Sequence, residues 1–117
     1  MLLTIDVGNT QTVIGLYEDE VPPSTAASGL VEHWRIATDA ERTCDEHAVV
    51  LRDLLRSAGR DLFLDGVSIC SGVPRVLVNL REMVDRYMEV EPVVVEPGVP
   101  TGMPVSYTHL RAHETLR

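Results

Sequence analysis

The run Leu2-Leu3-Thr4-Ile5-Asp6-Val7-Gly8-Asn9-Thr10-Gln11-Thr12-Val13-Ile14-Gly15-Leu16-Tyr17 decides the fold. Leu2 to Val7 is a short apolar stretch ending on Gly8-Asn9-Thr10, a turn signal. Thr12 to Tyr17 is again apolar and β-branched. Two strands joined by so short a turn make an antiparallel hairpin. Asp6 closes the first strand and is expected at a solvent-facing loop.

Outward from the hairpin, Glu18 to Gly29 is acidic, then Pro-Pro, then small, and is expected to be a loop. Val31 to Ala37 alternates around Trp34 and gives a third strand. Thr43 to Ala58 carries Ala48, Leu51, Leu54, Leu55 and Ala58 at the spacing of an amphipathic helix. Thr43 and Glu46 fit a capping box at its start, and Gly59 fits its stop. Val67 to Cys70 predicts a short strand. Pro74 opens a second helix, to about residue 88, with Val76, Leu77, Leu80, Met83, Val84 and Tyr87 on one face. Pro92 to Val95 predicts a final buried strand. An antiparallel meander followed by βαβ units gives an α/β protein, a mixed five-stranded sheet with two helices on its faces.

Composition narrows the chemistry. The 117 residues carry a net charge of −8, which argues against a nucleic-acid or anionic-membrane surface. All ten basic residues are arginine. Without lysine there is no Walker-type phosphate loop and no Schiff-base enzyme within this sequence. Cys44 and Cys70 match no zinc spacing and read as buried structural thiols. The N-terminus meets Asp6 too early for a signal peptide, and no apolar run approaches the ~20 residues of a membrane span. A soluble cytoplasmic protein is expected.

The turn between the first two strands is where chemistry can sit. Gly8 lets the backbone approach an anionic oxygen, and the turn's N–H groups can point at it. Asn9 and Thr10 add neutral donors, and Asp6 can hold Mg²⁺, directly or through water. Metal plus amide donors is the way left to neutralise a triphosphate. A plain hairpin turn accounts for Gly-Asn equally well.

The order of an acid closing the first strand and a second strand at once resembles the actin, hexokinase and acetate-kinase superfamily. Leu3 to Thr10 resembles the opening of type III pantothenate kinases. So do Trp34-Arg35-Ile36-Ala37-Thr38, Arg42-Thr43 with Asp45-Glu46, and Ile69-Cys70-Ser71-Gly72-Val73-Pro74. Val95-Glu96-Pro97-Gly98-Val99 and Thr101-Gly102-Met103-Pro104 complete the series, in the right order, and arginine-only usage resembles an actinobacterial-type member.

The resemblance implies a ribonuclease H-like, actin-like ATPase lobe over residues 1–104, truncated relative to the family. It also implies ATP-dependent phosphorylation of pantothenate, the first step toward coenzyme A. A divalent metal such as Mg²⁺, a monovalent cation (K⁺ or NH₄⁺) and a homodimer come with it. Asp6, Val7, Gly8, Asn9, Thr10, Gln11, Thr12 and Val13 match the first ATP-binding segment, with Asp6 as metal ligand. Val13 and Gly72 depart from residues often found at those places. The segment bearing the catalytic base, Gly-Ala-Asp-Arg, and a second phosphate motif with Asp-Phe-Gly-Thr are absent, so no catalytic residue is assigned and this sequence by itself is expected to be inactive. Another kinase of the superfamily, or a non-catalytic regulatory protein of the same fold, is the alternative.

Other candidates have ordinary explanations. Asp45 and Glu46 suit the macrodipole of a helix's first turn. Arg35 and Arg42 could meet substrate, or be solvated or salt-bridged. His33 and His47 read as surface residues. Ser71-Gly72 before a helix suits an anion, and capping explains it equally well. Val105 to Arg117 resembles a translated transposase-type sequencing adapter and is expected to be foreign to the fold; His109 and His113 within it therefore carry no metal-site assignment.

Overall fold

The computed structural model describes residues 1–18 and 29–95. Expectations for residues 19–28, for the motifs from Glu96 to Pro104 and for Val105–Arg117 lie outside these. The hairpin forms as the sequence predicts: β1 (Leu2–Val7) pairs antiparallel with β2 (Gln11–Tyr17), Val7 facing Thr12 and Leu2 facing Tyr17. β3 (Leu30–Ala37) runs antiparallel beside β2, while β4 (Gly66–Ser71) is parallel to β1 and β5 (Val93–Val95) parallel to β4. The five-stranded sheet has the order β3-β2-β1-β4-β5, so the opening strand lies at its centre.

Alternation along β1 divides two environments. Leu3, Ile5 and Val7 join the main core with Ile14, Leu16, Val67 and Ile69, and both helices add their apolar stripes to that same cluster. The two helices therefore cover one face of the sheet, not both. Fully burying a Leu, Ile or Val stabilises by roughly 1.5–3 kcal/mol each, so this face supplies most of the cohesion. β5 corrects the expectation of a buried strand: Val93 is 52 % exposed and Val95 alone of the three is buried. It lies outermost in the sheet, where one side of a strand has no neighbour to bury it.

Helix α1 (Cys44–Ser57) starts and stops where its chemistry directs. Thr43 Oγ1 accepts from the Glu46 N–H at 3.2 Å and the Glu46 carboxylate accepts from the Thr43 N–H at 2.9 Å. Replacing such a cap by alanine typically costs ~1 kcal/mol. At the other end Gly59 takes φ 76°, the Gly59 N–H reaches Arg56 O, and the Arg60 N–H reaches Leu55 O at 2.8 Å. This left-handed closure strongly favours glycine. Helix α2 (Pro74–Met83) has proline in its first turn and continues as one wide turn over Val84–Met88. Glu89, at φ 56°, ends it with its N–H on Val84 O. Met83, Val84 and Met88 are all buried, continuing from Leu80 the i, i+3, i+4, i+8 stripe of an amphipathic helix.

Candidate functional site

Strands β1, β3 and β4 all end at one edge of the sheet, and β2 starts there. In open α/β sheets ligands bind outside such carboxyl ends. The β1–β2 loop, Gly8-Asn9-Thr10, stands at this edge beside Ser71-Gly72, whose Gly72 N–H donates to Val7 O at 3.2 Å.

The loop is held by its carbonyls. Gly8 N–H donates to Gln11 O at 2.9 Å, closing the turn, and Thr38 N–H donates to Thr10 O at 2.9 Å. The Thr38 hydroxyl donates to Gly8 O at 2.7 Å. A Cβ at Gly8 would stand 3.1 Å from Gln11 O, so the closed turn leaves little room for a side chain. Asn9 and Thr10 are exposed, and among the described residues their N–H groups donate no backbone hydrogen bond. Two carbonyls occupied by hydrogen bonds, and two exposed residues whose amides keep no backbone partner, suit the approach of an anion.

The side chains of the segment divide sharply. Val7 packs in the main core and Thr12 is buried, while Asn9, Thr10 and Gln11 are exposed. Asp6 corrects the expectation of a solvent-facing acid. It lies within β1, opposite Val13 on β2 and Cys70 on β4, and is only 8 % exposed. Alternation along the strand turns its carboxylate to the sheet face opposite the helices, and pairing with both β2 and β4 buries it there. Val13 and Cys70 are buried on that face too.

Arginines flank the loop. Arg35 Nη1 donates to Gln11 Oε1 at 3.0 Å, and Arg42 Nη1 reaches Ala37 O at 3.4 Å. Sequence reasoning left both open; β3 places Arg35 over Val13, beside the candidate segment. Ser71 caps no helix. Its Oγ accepts from the Val73 N–H at 3.0 Å and α2 has no side-chain cap. Thr38 was not among the candidate site residues, and only its position after a strand ending beside the loop could have marked it.

A small cleft lies on the helix side of the sheet, where Thr12, Asp39, Arg42 and His47 stand over Ile5 and Ile14. It is across the sheet from Asp6 and shares only Thr12 with the candidate segment. His47 is buried, against the expectation of a surface residue, and its Nε2 has no hydrogen-bond partner. Its position in α1, one turn before Leu51, turns it inward. Burial first, then the Arg42 charge, lower its pKa from 6.5 to about 4. Cys44 and Cys70 are buried as expected and form no disulfide. Among the described residues no group of three or more His, Cys, Asp or Glu could hold a metal together.

A profile of the family described as Type III pantothenate kinase matches residues 2–113. The type III pantothenate kinase of Streptomyces avermitilis is 51 % identical over 111 residues, covering 90 % of this chain and 39 % of that protein. That of Streptomyces coelicolor is 50 % identical over 115 residues (93 % and 40 %), and that of Halalkalibacterium halodurans 42 % over 108 (92 % and 39 %). The chain thus spans about two-fifths of the length of the curated relatives it matches. Among solved structures, a Ppx/GppA family member from Aquifex aeolicus superposes with a TM-score of 0.45 at 15 % identity, covering 82 % of this chain and 35 % of its own.

Proposed function

Since this chain belongs to the type III pantothenate kinase family, we propose that the full-length protein transfers the γ-phosphoryl group of ATP to the primary hydroxyl of pantothenate. The product is 4′-phosphopantothenate, on the way to coenzyme A. Residues Asp6–Val13 are the first ATP-binding segment in this proposal. The observation that carries it is the β1–β2 loop at the carboxyl edge of the sheet, with its Gly8 and Thr10 carbonyls hydrogen-bonded and Asn9 and Thr10 exposed with no backbone partner on their amides.

Phosphoryl transfer asks the protein chiefly for positioning and charge stabilisation. The Asn9 and Thr10 amides orient phosphate oxygens, and Arg35 adds positive charge beside them. Asp6 is the residue that would hold Mg²⁺. A single carboxylate suits that ion, which commonly takes one or two acids together with substrate phosphates. When bound, the metal neutralises charge on the phosphates. The base that accepts the hydroxyl proton is proposed to lie in a Gly-Ala-Asp-Arg segment, which this sequence does not contain. A monovalent cation and a homodimeric partner are proposed from the family resemblance alone, without assigned residues. A cytoplasmic location and a foreign origin for residues 105–117 are likewise proposals. Among the described residues no helix is long and apolar enough to cross a membrane.

The test incubates the full-length protein with ATP, Mg²⁺ and pantothenate and measures phosphopantothenate by mass. Product from a sugar or acetate, with none from pantothenate, would point to another kinase of the superfamily. No product from any acceptor would favour a regulatory protein of this fold.

A further inference from the structure

Thr38 touches the β1–β2 loop twice and strand β2 once. Its N–H donates to Thr10 O at 2.9 Å, its hydroxyl donates to Gly8 O at 2.7 Å, and its Oγ1 lies 2.8 Å from Thr12 Oγ1. A hydroxyl has one proton to give. Because Gly8 O can only accept, the Thr38 proton is committed there, and the Thr12 hydroxyl must be the donor to Thr38 Oγ1. The order Thr12 → Thr38 → Gly8 is therefore directional. It begins at a buried residue of β2 and ends on the first carbonyl of the loop.

We infer that Thr38 is a positioning residue for nucleotide binding: it turns the Gly8 and Thr10 carbonyls away from the phosphate and so leaves the Asn9 and Thr10 amides to face it. A free carbonyl in this turn would aim a lone pair at an anion, while two hydrogen bonds from one residue fix both peptide planes. The side-chain bond, between residues 30 apart in sequence, also ties the loop to the end of β3, the strand that carries Arg35. The inference rests on the ATP-binding role proposed above for this loop.

The experiment uses the full-length kinase and three variants, Thr38→Val, Thr38→Ala and Thr38→Ser. Equilibrium affinity for Mg·ATP, KM for ATP and for pantothenate, kcat and thermal midpoint are measured for each. Valine keeps the shape and the backbone N–H but removes the hydroxyl, so nucleotide affinity should fall about tenfold, the scale of one lost hydrogen bond with its carbonyl left unsatisfied. KM for ATP should rise by the same factor and KM for pantothenate should stay within about twofold, while serine restores wild-type values. Alanine carries the test if the valine variant fails to fold. A variant that lowers the thermal midpoint yet binds Mg·ATP like wild type would overturn the inference, as would a serine variant no better than valine. Wild-type protein that binds no nucleotide would overturn the functional proposal and this inference together. Wild-type binding with no phosphopantothenate would fail only the substrate, and the affinity comparison would still decide the role of Thr38.

Discussion

The phenol hydroxyl of Tyr87, in the wide turn after α2, donates to the carboxylate of Asp45 in the first turn of α1. Arg86 Nη1 reaches the same carboxylate oxygen at 3.2 Å, and its guanidinium lies 5.5 Å from the Tyr87 ring centre. An acid suited to a helix N-terminus thus also joins the two helices. The Tyr87 hydrogen bond, with help from the Arg86 charge, holds the Asp45 carboxyl below its ordinary value, and the same bond raises the Tyr87 phenol. The two groups destabilise at opposite ends of the pH range. A depressed Asp45 contributes stability above its unfolded pKa, lost as pH falls through the folded one; a raised Tyr87 contributes below about 10, lost as pH rises through its folded pKa. Asp45 is exposed and Tyr87 only half-buried, so the effects are small. Urea midpoints at about pH 3, 7 and 11 should show shallower acid and alkaline losses for Tyr87→Phe than for wild type. Equal losses would mean the contact is not made in solution.

Local rules placed the element ends well because each is written within a few residues: Thr43 with Glu46, Gly59, Pro74, and the Gly-Asn turn. What they could not place was depth. Asp6 closes an apolar run, and only pairing with both β2 and β4 puts its carboxylate inside the sheet. His47 shares a stripe with Cys44 and Leu51; lacking a partner at ligand spacing it reads as a surface residue, yet it is buried. Val93 has a core residue's chemistry, yet strand order leaves it at an edge. The loop residues of the candidate site were legible from type and spacing. Thr38 was not, since its role depends on β3 returning beside β1–β2.

Asp6→Asn in the full-length protein keeps size and removes the charge proposed to hold Mg²⁺. Turnover with ATP should drop by ~10² or more, the scale of losing one electrostatic contact to the reacting phosphates. Because Asp6 is buried within the central strand, its thermal midpoint should be followed beside activity. Full activity in a folded variant would reduce Asp6 to a strand residue.

Gly15 sits in β2 where a Cβ would stand 2.8 Å from Thr4 Oγ1 and 2.8 Å from the Tyr17 ring. Thr4 and Gly15 are register partners, so relief requires both the Thr4 hydroxyl and the Tyr17 ring to rotate out of their packed positions. Gly15→Ala should destabilise by about 1–3 kcal/mol, the range for overpacking a buried site. Gly72→Ala is the control, with nothing within 4 Å of its Cβ. Chemical denaturation of both variants checks the pair, and equal midpoints would show that Tyr17 swings away freely.

His47 should make the fold acid-sensitive above the range where most carboxylates titrate. Its folded pKa is about 4 against 6.5. Between these values the unfolded chain binds a proton that the folded chain refuses, so stability is complete above about 6.5, declines as pH falls, and has lost its full share below about 4. Arg42 opposes protonation, while Glu46 and Asp39 favour it. Across the cleft β2 offers Thr12 and Ile14, and α2 offers Val76 and Leu80, none of which titrates. Allowing for solvent at the cleft mouth, the loss should be ~2 kcal/mol. Denaturation midpoints of wild type and His47→Gln, compared between about pH 7 and 4.5, isolate the effect, because the carboxylates are common to both. Wild type should lose more over this interval than the variant, whatever their difference at neutral pH. Parallel losses would mean that the imidazole is solvated and protonates in the folded state at an ordinary pH.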